Sequence, residues 1–415
     1  MKKLSFYFIV ATVVAMICSC GQQNTIRKQI LFANGEDSVA VPYRIPALAA
    51  FDDGTLLALA DYRHCRSDIG FGRIDIRSRI SLDNGKTWGN ENIVIEGTGT
   101  KGAVDCGFGD PAVVCDRETG EVLLLTVCGE TVYWMSTTNR NNPNRMAALR
   151  SMDKGKTWTQ WEEITEEVYS LFDECKDGVM ESSFVGSGKI FQSRVTKVGD
   201  YYRLYAALCA RPNGNRVIYS DDFGHSWKAL GGPDAFPARD GNEPKCEELP
   251  DGRVILSSRA DGGRIFNIYT YTDPVTGEGH WEDAVFSGKD NNGCVAVENS
   301  CNGEILIVDA ERKSDGEKVK LVLQSVPLGP GRSNVGIWYK ELPEDLATVT
   351  AASLASDWAG PYQVSEDKSA YSTMVLQSDG RIGFFYEETE NIDVTGYNLV
   401  YTAIPVDSLT CNSYR

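Results

Sequence analysis

Short runs of β-branched, leucine and aromatic residues recur along the chain, each bounded by turn signals. They occupy 55–60, 122–127, 202–208, 253–257, 304–308 and 381–386. Several follow a tight-turn dipeptide: Asp53-Gly54, Thr119-Gly120, Asp251-Gly252, Asn302-Gly303 and Asp379-Gly380. Runs of this length after such turns predict strands in antiparallel hairpins. Helical periodicity is scarce; 162–172 is the one candidate and reads as a short loop helix.

Three segments then repeat one pattern, Ser-x-Asp-x-Gly-x-x-Trp: Ser81 to Trp88, Ser151 to Trp158 and Ser220 to Trp227. Asp83, Asp153 and Asp222 are spaced 70 and 69 positions apart, and a degenerate fourth copy lies at 273–281. The residue types suit a hairpin. Asp caps the turn with its side chain, Gly supplies a positive φ, and Trp packs on neighbouring strands. The pattern resembles the Asp boxes of sialidase-like propellers, where each box joins the last two strands of a blade. A repeat of roughly 65 residues in a mature chain of about 390 gives six units. The expectation is an all-β, six-bladed β-propeller with its ligand site at one end of the central channel. A β-sandwich is the alternative.

Composition narrows the chemistry. With 24% charged and 42% hydrophobic residues, the 415-residue chain reads as soluble and globular. A formal net charge of −17 disfavours nucleic acid and anionic bilayers as ligands. An anionic substrate must therefore meet a local concentration of cations. Only His64, His225 and His280 are present, which argues against a histidine metal site or a Ser-His-Asp hydrolase. Twelve cysteines without a mature Cys-x-x-Cys read mostly as small buried hydrophobes, with one or two unassigned disulfides left open.

Lys2 and Lys3 followed by an apolar run to Ile17 form a signal peptide, too short to span a membrane. The small residues before Cys20 resemble a bacterial lipobox. Residues 1–19 are thus expected to be removed, Cys20 lipidated, 20–28 a polar tether and 29–415 the catalytic domain. Ordinary cleavage nearby is the alternative. The protein is expected to be exported and held by its lipid at the outer membrane or cell surface, or in the periplasm.

Tyr43-Arg44-Ile45-Pro46 matches the F/Y-R-I-P motif of bacterial sialidases of glycoside hydrolase family thirty-three, and the resemblance runs through the mature chain. It implies three arginines gripping a substrate carboxylate. Arg44 comes from the motif, and Arg259 ends a run resembling the family's D-G-R-V-x-L-x-S-R. Arg332 fits the third place best, with Arg312 as rival. It implies Tyr371 as nucleophile, Glu243 as the activating base and Asp68 as general acid/base, with Asp75 as runner-up. Arg63 would line the pocket near the sugar's O4, and Asp110 would bind O4 or the acylamino group, although Asp110 before Pro111 also reads as a turn residue. Glu387 would orient Arg44.

The physical logic stands beside the resemblance. Guanidinium groups bind a carboxylate in bidentate, charge-assisted fashion. A sialic acid carries its carboxylate on the anomeric carbon, which repels an anionic nucleophile. A neutral phenol avoids that repulsion. The resulting expectation is a retaining exo-sialidase acting on terminal sialic acid of glycoproteins, glycolipids or oligosaccharides, with no cofactor or metal, as a monomer. Alternatives on the same fold are an intramolecular trans-sialidase, an enzyme preferring a deaminated sialic acid, a hydrolase of another sugar, or a non-catalytic glycan-binding propeller.

Overall fold

The computed structural model describes residues 27–34, 41–212, 214–390 and 396–415. The signal segment, the lipobox Cys20 and most of the tether lie outside the described residues. Among the described residues no helix is long and apolar enough to cross a membrane.

The architecture is all-β. The strands form antiparallel meanders in chain order, hydrogen-bonded into five sheets. The first holds Tyr43–Ala50, Leu56–Tyr62, Asp75–Ser81 and Asn92–Ile95. The second holds Phe108–Cys115, Val122–Cys128, Arg145–Ser151 and Glu162–Glu163. The third begins with an interrupted strand, Ser182–Val185 and Phe191–Val198. It continues through Tyr201–Arg211, Gly214–Ser220 and Lys228–Ala229. The fourth holds Pro244–Glu248, Val254–Ala260, Gly263–Asp273 and Glu278–Trp281.

The last sheet is two meanders in one. Ile305–Glu311, Lys318–Gly329, Ser333–Glu341 and Ala359–Gln363 make a fifth meander. Lys368–Leu376, Ile382–Thr389 and Asn398–Ile404 make a sixth, completed by the N-terminal strand Gln29–Phe32. A single residue pair, Ser333 with Lys368, joins the two.

Each of the six apolar runs seen in the sequence coincides with a strand, four of them starting one residue before it. Val122–Cys128 is buried at every position, because its sheet is covered on both faces. The helix predicted over 162–172 is shorter, Thr165–Ser170. Glu162 and Glu163 instead complete the outer edge of the second sheet, paired with Ala148 and Ala147.

The three repeats adopt one turn between the third and fourth strands of their sheets. In the first, Asp83 Oδ1 accepts Thr87 N at 2.9 Å, Asp83 Oδ2 accepts Thr87 Oγ1 at 2.7 Å, and Ser81 Oγ accepts Gly85 N at 2.9 Å. The same bonds recur around Asp153 and Asp222. Each turn places two successive residues at positive φ, not the glycine alone: Asn84-Gly85, Lys154-Gly155 and Phe223-Gly224. The degenerate copy turns differently, with Asp273 Oδ1 accepting Val275 N at 2.9 Å.

These glycines also set the order of packing. Gly85 lies against the Tyr401 ring of the sixth meander, Gly155 against Leu57 of the first, Gly224 against Leu123 of the second. Gly277 lies against Tyr219 of the third. A β-carbon at any of them would collide with its neighbour. Each hairpin is thereby seated on the sheet before it. The apolar clusters repeat this succession, and one of them joins Leu56 and Ala58 to Phe385 and Tyr401, so the first and sixth meanders share a core.

Candidate active site

Three strands break register where the candidate residues lie. The pairing of Tyr43–Ala50 shifts between Arg44 and Ala47, that of Phe108–Cys115 between Gly109 and Ala112, and that of Lys368–Leu376 between Ser369 and Ser372. A bulge re-aims the side chains around it. Ile45 and Asp110 sit inside two of these bulges at φ 60° and 53°. Such a conformation is costly for a β-branched residue and persists only where neighbours impose it. Here Glu387 Oε1 accepts Ile45 N at 2.8 Å, and Asp61 Oδ1 accepts Asp110 N at 3.0 Å.

A cavity of about 380 Å³ opens at this end of the sheets. Arg44, Arg63, Asp68, Asp110, Glu243, Arg259, Arg332 and Tyr371 all line it, drawn from strands and loops more than 320 positions apart. The two rivals do not. Arg312, in the hairpin between Ile305–Glu311 and Lys318–Gly329, is instead held by Asp315, Glu317 and Glu341. Asp75 is buried in its strand among Arg73, Arg77 and His64.

At the floor, the Tyr371 hydroxyl donates to Glu243 Oε1 at 2.6 Å. Arg259 Nη1 donates to the other oxygen, Oε2, at 2.8 Å, and to the Tyr371 hydroxyl at 3.3 Å. Burial pushes the phenol's pKa well above its ordinary value, and the Glu243 charge adds to this, while Arg259 pulls it down. The phenol is therefore neutral near pH 7, and only a proton transfer to a partner such as Glu243 would make it nucleophilic.

Two more guanidinium groups flank the ring. Arg44 Cζ lies 5.5 Å from the Tyr371 centroid and Arg332 Cζ 5.7 Å. Arg44 is fixed by Glu387, with Nε at 2.6 Å from Oε1, and by the Tyr397 ring at 5.2 Å. Burial alone would lower the pKa of Arg44, but Glu387 more than reverses that. Arg332, at φ 63°, donates Nε to the Ser300 carbonyl at 3.1 Å. Among the described residues no carboxylate lies within ion-pair reach of Arg332. An anion entering here meets one uncompensated charge and two preorganised ones.

The opposite wall is acidic. Arg63 Nη2 lies 2.8 Å from Asp61, 3.2 Å from Asp68 and 3.8 Å from Asp110. Burial raises the pKa of Asp110, with the Asp61 and Asp68 charges pushing the same way and Arg63 opposing. Asp68 is the most exposed of the three carboxylates, at 40% of its side chain.

Residues 54–384 match the family of BNR repeat-like domains. The chain belongs to that family. The match spans the three repeats and includes Asp68, Arg259 and Tyr371, while Arg44 and Glu387 stand just outside it. This BNR repeat-like chain is 28% identical over 392 residues to a sialidase of Micromonospora viridifaciens, covering 92% of the chain but only 55% of that protein. It is 27% identical to a sialidase of Paraclostridium sordellii, covering 91% of the chain and 90% of the relative. Among solved structures, it superposes on a Hadza microbial sialidase with TM-score 0.67 at 22% identity, covering 91% of the chain and 68% of the other. A leech intramolecular trans-sialidase gives 0.68 at 17% identity, covering 92% and 70%. The fold is shared with these proteins.

Several residues of the site carried no role in the sequence reading. Asp61 is the clearest: fully buried, it holds Arg63 through Nε and Nη2 and the Asp110 amide through its other oxygen. Its signal was position, since Asp61 and Arg63 are two apart where a strand ends. Ser300 is the second. Its hydroxyl accepts from Arg259 Nε at 2.9 Å and its carbonyl from Arg332. It lies outside any strand, so no pattern marked it.

Proposed function

We propose that the protein is a retaining exo-sialidase that hydrolyses terminal sialic acid from glycans, built as a six-bladed β-propeller with each meander a blade. The observation that carries the reading is the Tyr371 hydroxyl, bonded to Glu243 and ringed by Arg44, Arg259 and Arg332. The sialidases among the relatives support the same substrate class. The succession of sheets, each hairpin seated on the one before, supports the propeller.

In this mechanism the three arginines fix the carboxylate. Asp68 protonates the leaving oxygen as the glycosidic bond breaks. Tyr371 attacks the anomeric carbon while its proton passes to Glu243, giving an aryl glycoside on the enzyme. Asp68 then deprotonates water, which displaces Tyr371 from the face the aglycone left, and the phenol recovers its proton from Glu243. Two inversions give retention. Asp110 and Arg63 hold the sugar's polar groups on the acidic wall. Export, with a lipid on Cys20, belongs to the same proposal.

The decisive experiment is incubation with a sialylated oligosaccharide and identification of the first product by NMR. Free sialic acid released initially as the α-anomer is the expected result. The β-anomer as first product, or no release, contradicts it. A 2,7-anhydro sugar would select the second reading, an intramolecular trans-sialidase, which neighbours of that type favour.

A further inference from the structure

Charged side chains continue below the floor of the cavity. Glu243 immediately precedes the strand Pro244–Glu248, and the ladder carries on through it, since Arg259 N donates to the Glu243 carbonyl at 3.0 Å. Residues two apart on a strand share a face, so Lys245 follows Glu243 on the same side, one step deeper. Lys245 is 1% exposed, rare for a lysine. Its Nζ lies 3.8 Å from Glu304 Oε2 and donates to the Gly186 carbonyl at 3.4 Å, while Thr373 Oγ1 donates to the same Glu304 oxygen at 3.1 Å. Gly188, at φ +111°, passes so close that a β-carbon would lie 2.7 Å from Lys245 Nζ.

Burial lowers the pKa of Lys245, and the Glu304 and Glu243 charges oppose that, with Arg264 and Lys189 nearby on the other side of the balance. Glu243 itself meets Tyr371 and Arg259 directly. The other ionisable groups near it are Asp110, the thiols of Cys209 and Cys301, both pushed up to about 12 by burial, and Arg264, which is bound to Ser257 and the Cys301 carbonyl. Arg259 touches Glu243 but also lines the cavity, where a substrate carboxylate would draw on the same charge. Lys245 and Arg264 are buried cations that a substrate does not reach.

We propose that Lys245 is a positioning residue for transfer of the Tyr371 proton: its ammonium keeps Glu243 ionised once the substrate carboxylate has taken up Arg259. This rests on the function proposed above. As the sugar binds, Arg259 is shared between two anions and its hold on the Glu243 charge weakens. A buried carboxylate that loses its counter-charge takes a proton from solvent. Glu243 would then have no place for the proton that Tyr371 must lose as its oxygen bonds to the anomeric carbon. Lys245 supplies the counter-charge from the side the sugar does not reach, through a low-dielectric floor where attraction acts beyond contact distance.

The test follows lactose release from 3′-sialyllactose against pH. The single-turnover rate at saturating enzyme reports Glu243 in the bound state, and kcat/KM reports it in the free enzyme. In wild type the two acid limbs should coincide within about 0.5 pH unit. A bound-state limb higher by about one unit or more means that Arg259 alone held the charge, and overturns the proposal. Lys245→Met combined with Glu304→Gln removes the buried pair together, so that neither charge is stranded, and Glu304→Gln alone is its control. The bound-state limb should lie about one unit higher in the double variant than in the control, and the free-enzyme limb should move less. Coincident limbs in the two variants, whether or not the rates fall, overturn the role, because a merely structural lysine changes rates and leaves the limbs in place. Wild-type protein that releases no lactose at any pH instead overturns the sialidase reading itself.

Discussion

The backbone amide of Tyr371 donates to Glu387 Oε2 at 3.1 Å, and the same carboxylate takes Arg44 Nε on its other oxygen at 2.6 Å. Glu387 is fully buried. One anion thus fixes the first arginine, the strained Ile45 and the main chain of the candidate nucleophile. Arg44 and Tyr371 lie 327 positions apart, and this carboxylate sets their spacing.

Glu387→Gln tests that coupling. It keeps the shape but leaves a mostly buried guanidinium without its counter-charge. Unfolding free energy should fall by about 3 kcal/mol, read by urea denaturation. KM for a sialoside should rise at least about tenfold, because the carboxylate grip loosens. Wild-type values for both would detach Glu387 from the site.

Asp68→Asn separates acid catalysis from binding. A sialoside with an alkyl or sugar leaving group should lose roughly 10²–10⁴-fold in kcat/KM. A 4-nitrophenyl sialoside should lose far less, since its leaving group needs no proton. Equal losses on the two substrates would remove Asp68 from the acid role.

The Asp boxes give a pH signature. Asp153 is partly buried, which would raise its pKa, but the Thr157 hydroxyl and amide outweigh that and pull it from 3.8 to about 2. Asp83 and Asp222 shift the same way. The unfolded chain therefore takes up these protons first. The stabilisation is complete above about pH 4 and is lost as the pH falls towards 2. Thermal unfolding followed from about pH 5 down to pH 2 should show Tm falling less steeply in Asp153→Asn than in wild type. Coincident slopes would show that the boxes do not contribute.

Gly155→Ala places a β-carbon 2.8 Å from Leu57 at a backbone φ of +84°. Both effects act against the substitution, which should cost more than about 1 kcal/mol. Unfolding in urea measures it, and an unchanged midpoint would mean that the hairpin does not seat on the first sheet as described.

Strand positions and turn chemistry were legible in the sequence because both are local. The run at 122–127 and the box at Ser151 to Trp158 needed only neighbouring residues to be read. What was not legible depends on register and distance. The bulges at Ile45 and Asp110 leave no mark in the alternation of residues, yet they aim the side chains of the site. Arg312 and Arg332 both remained candidates in sequence, and only partners far along the chain separate them: Glu341 for one, Ser300 and the Tyr371 ring for the other. Glu162 and Glu163 looked helical because their edge-strand partners, Ala148 and Ala147, lie in another run.

The most direct test of the account is to trap the bond it requires. A 3-fluoro sialosyl fluoride loses fluoride readily but leaves an intermediate that hydrolyses slowly, and peptide mapping by mass spectrometry locates it. One sialosyl adduct on the peptide containing Tyr371, absent from Tyr371→Phe, is the predicted result. An adduct on Asp68, Glu243 or any other residue, or steady turnover of ordinary sialosides by Tyr371→Phe at the wild-type rate, would contradict it.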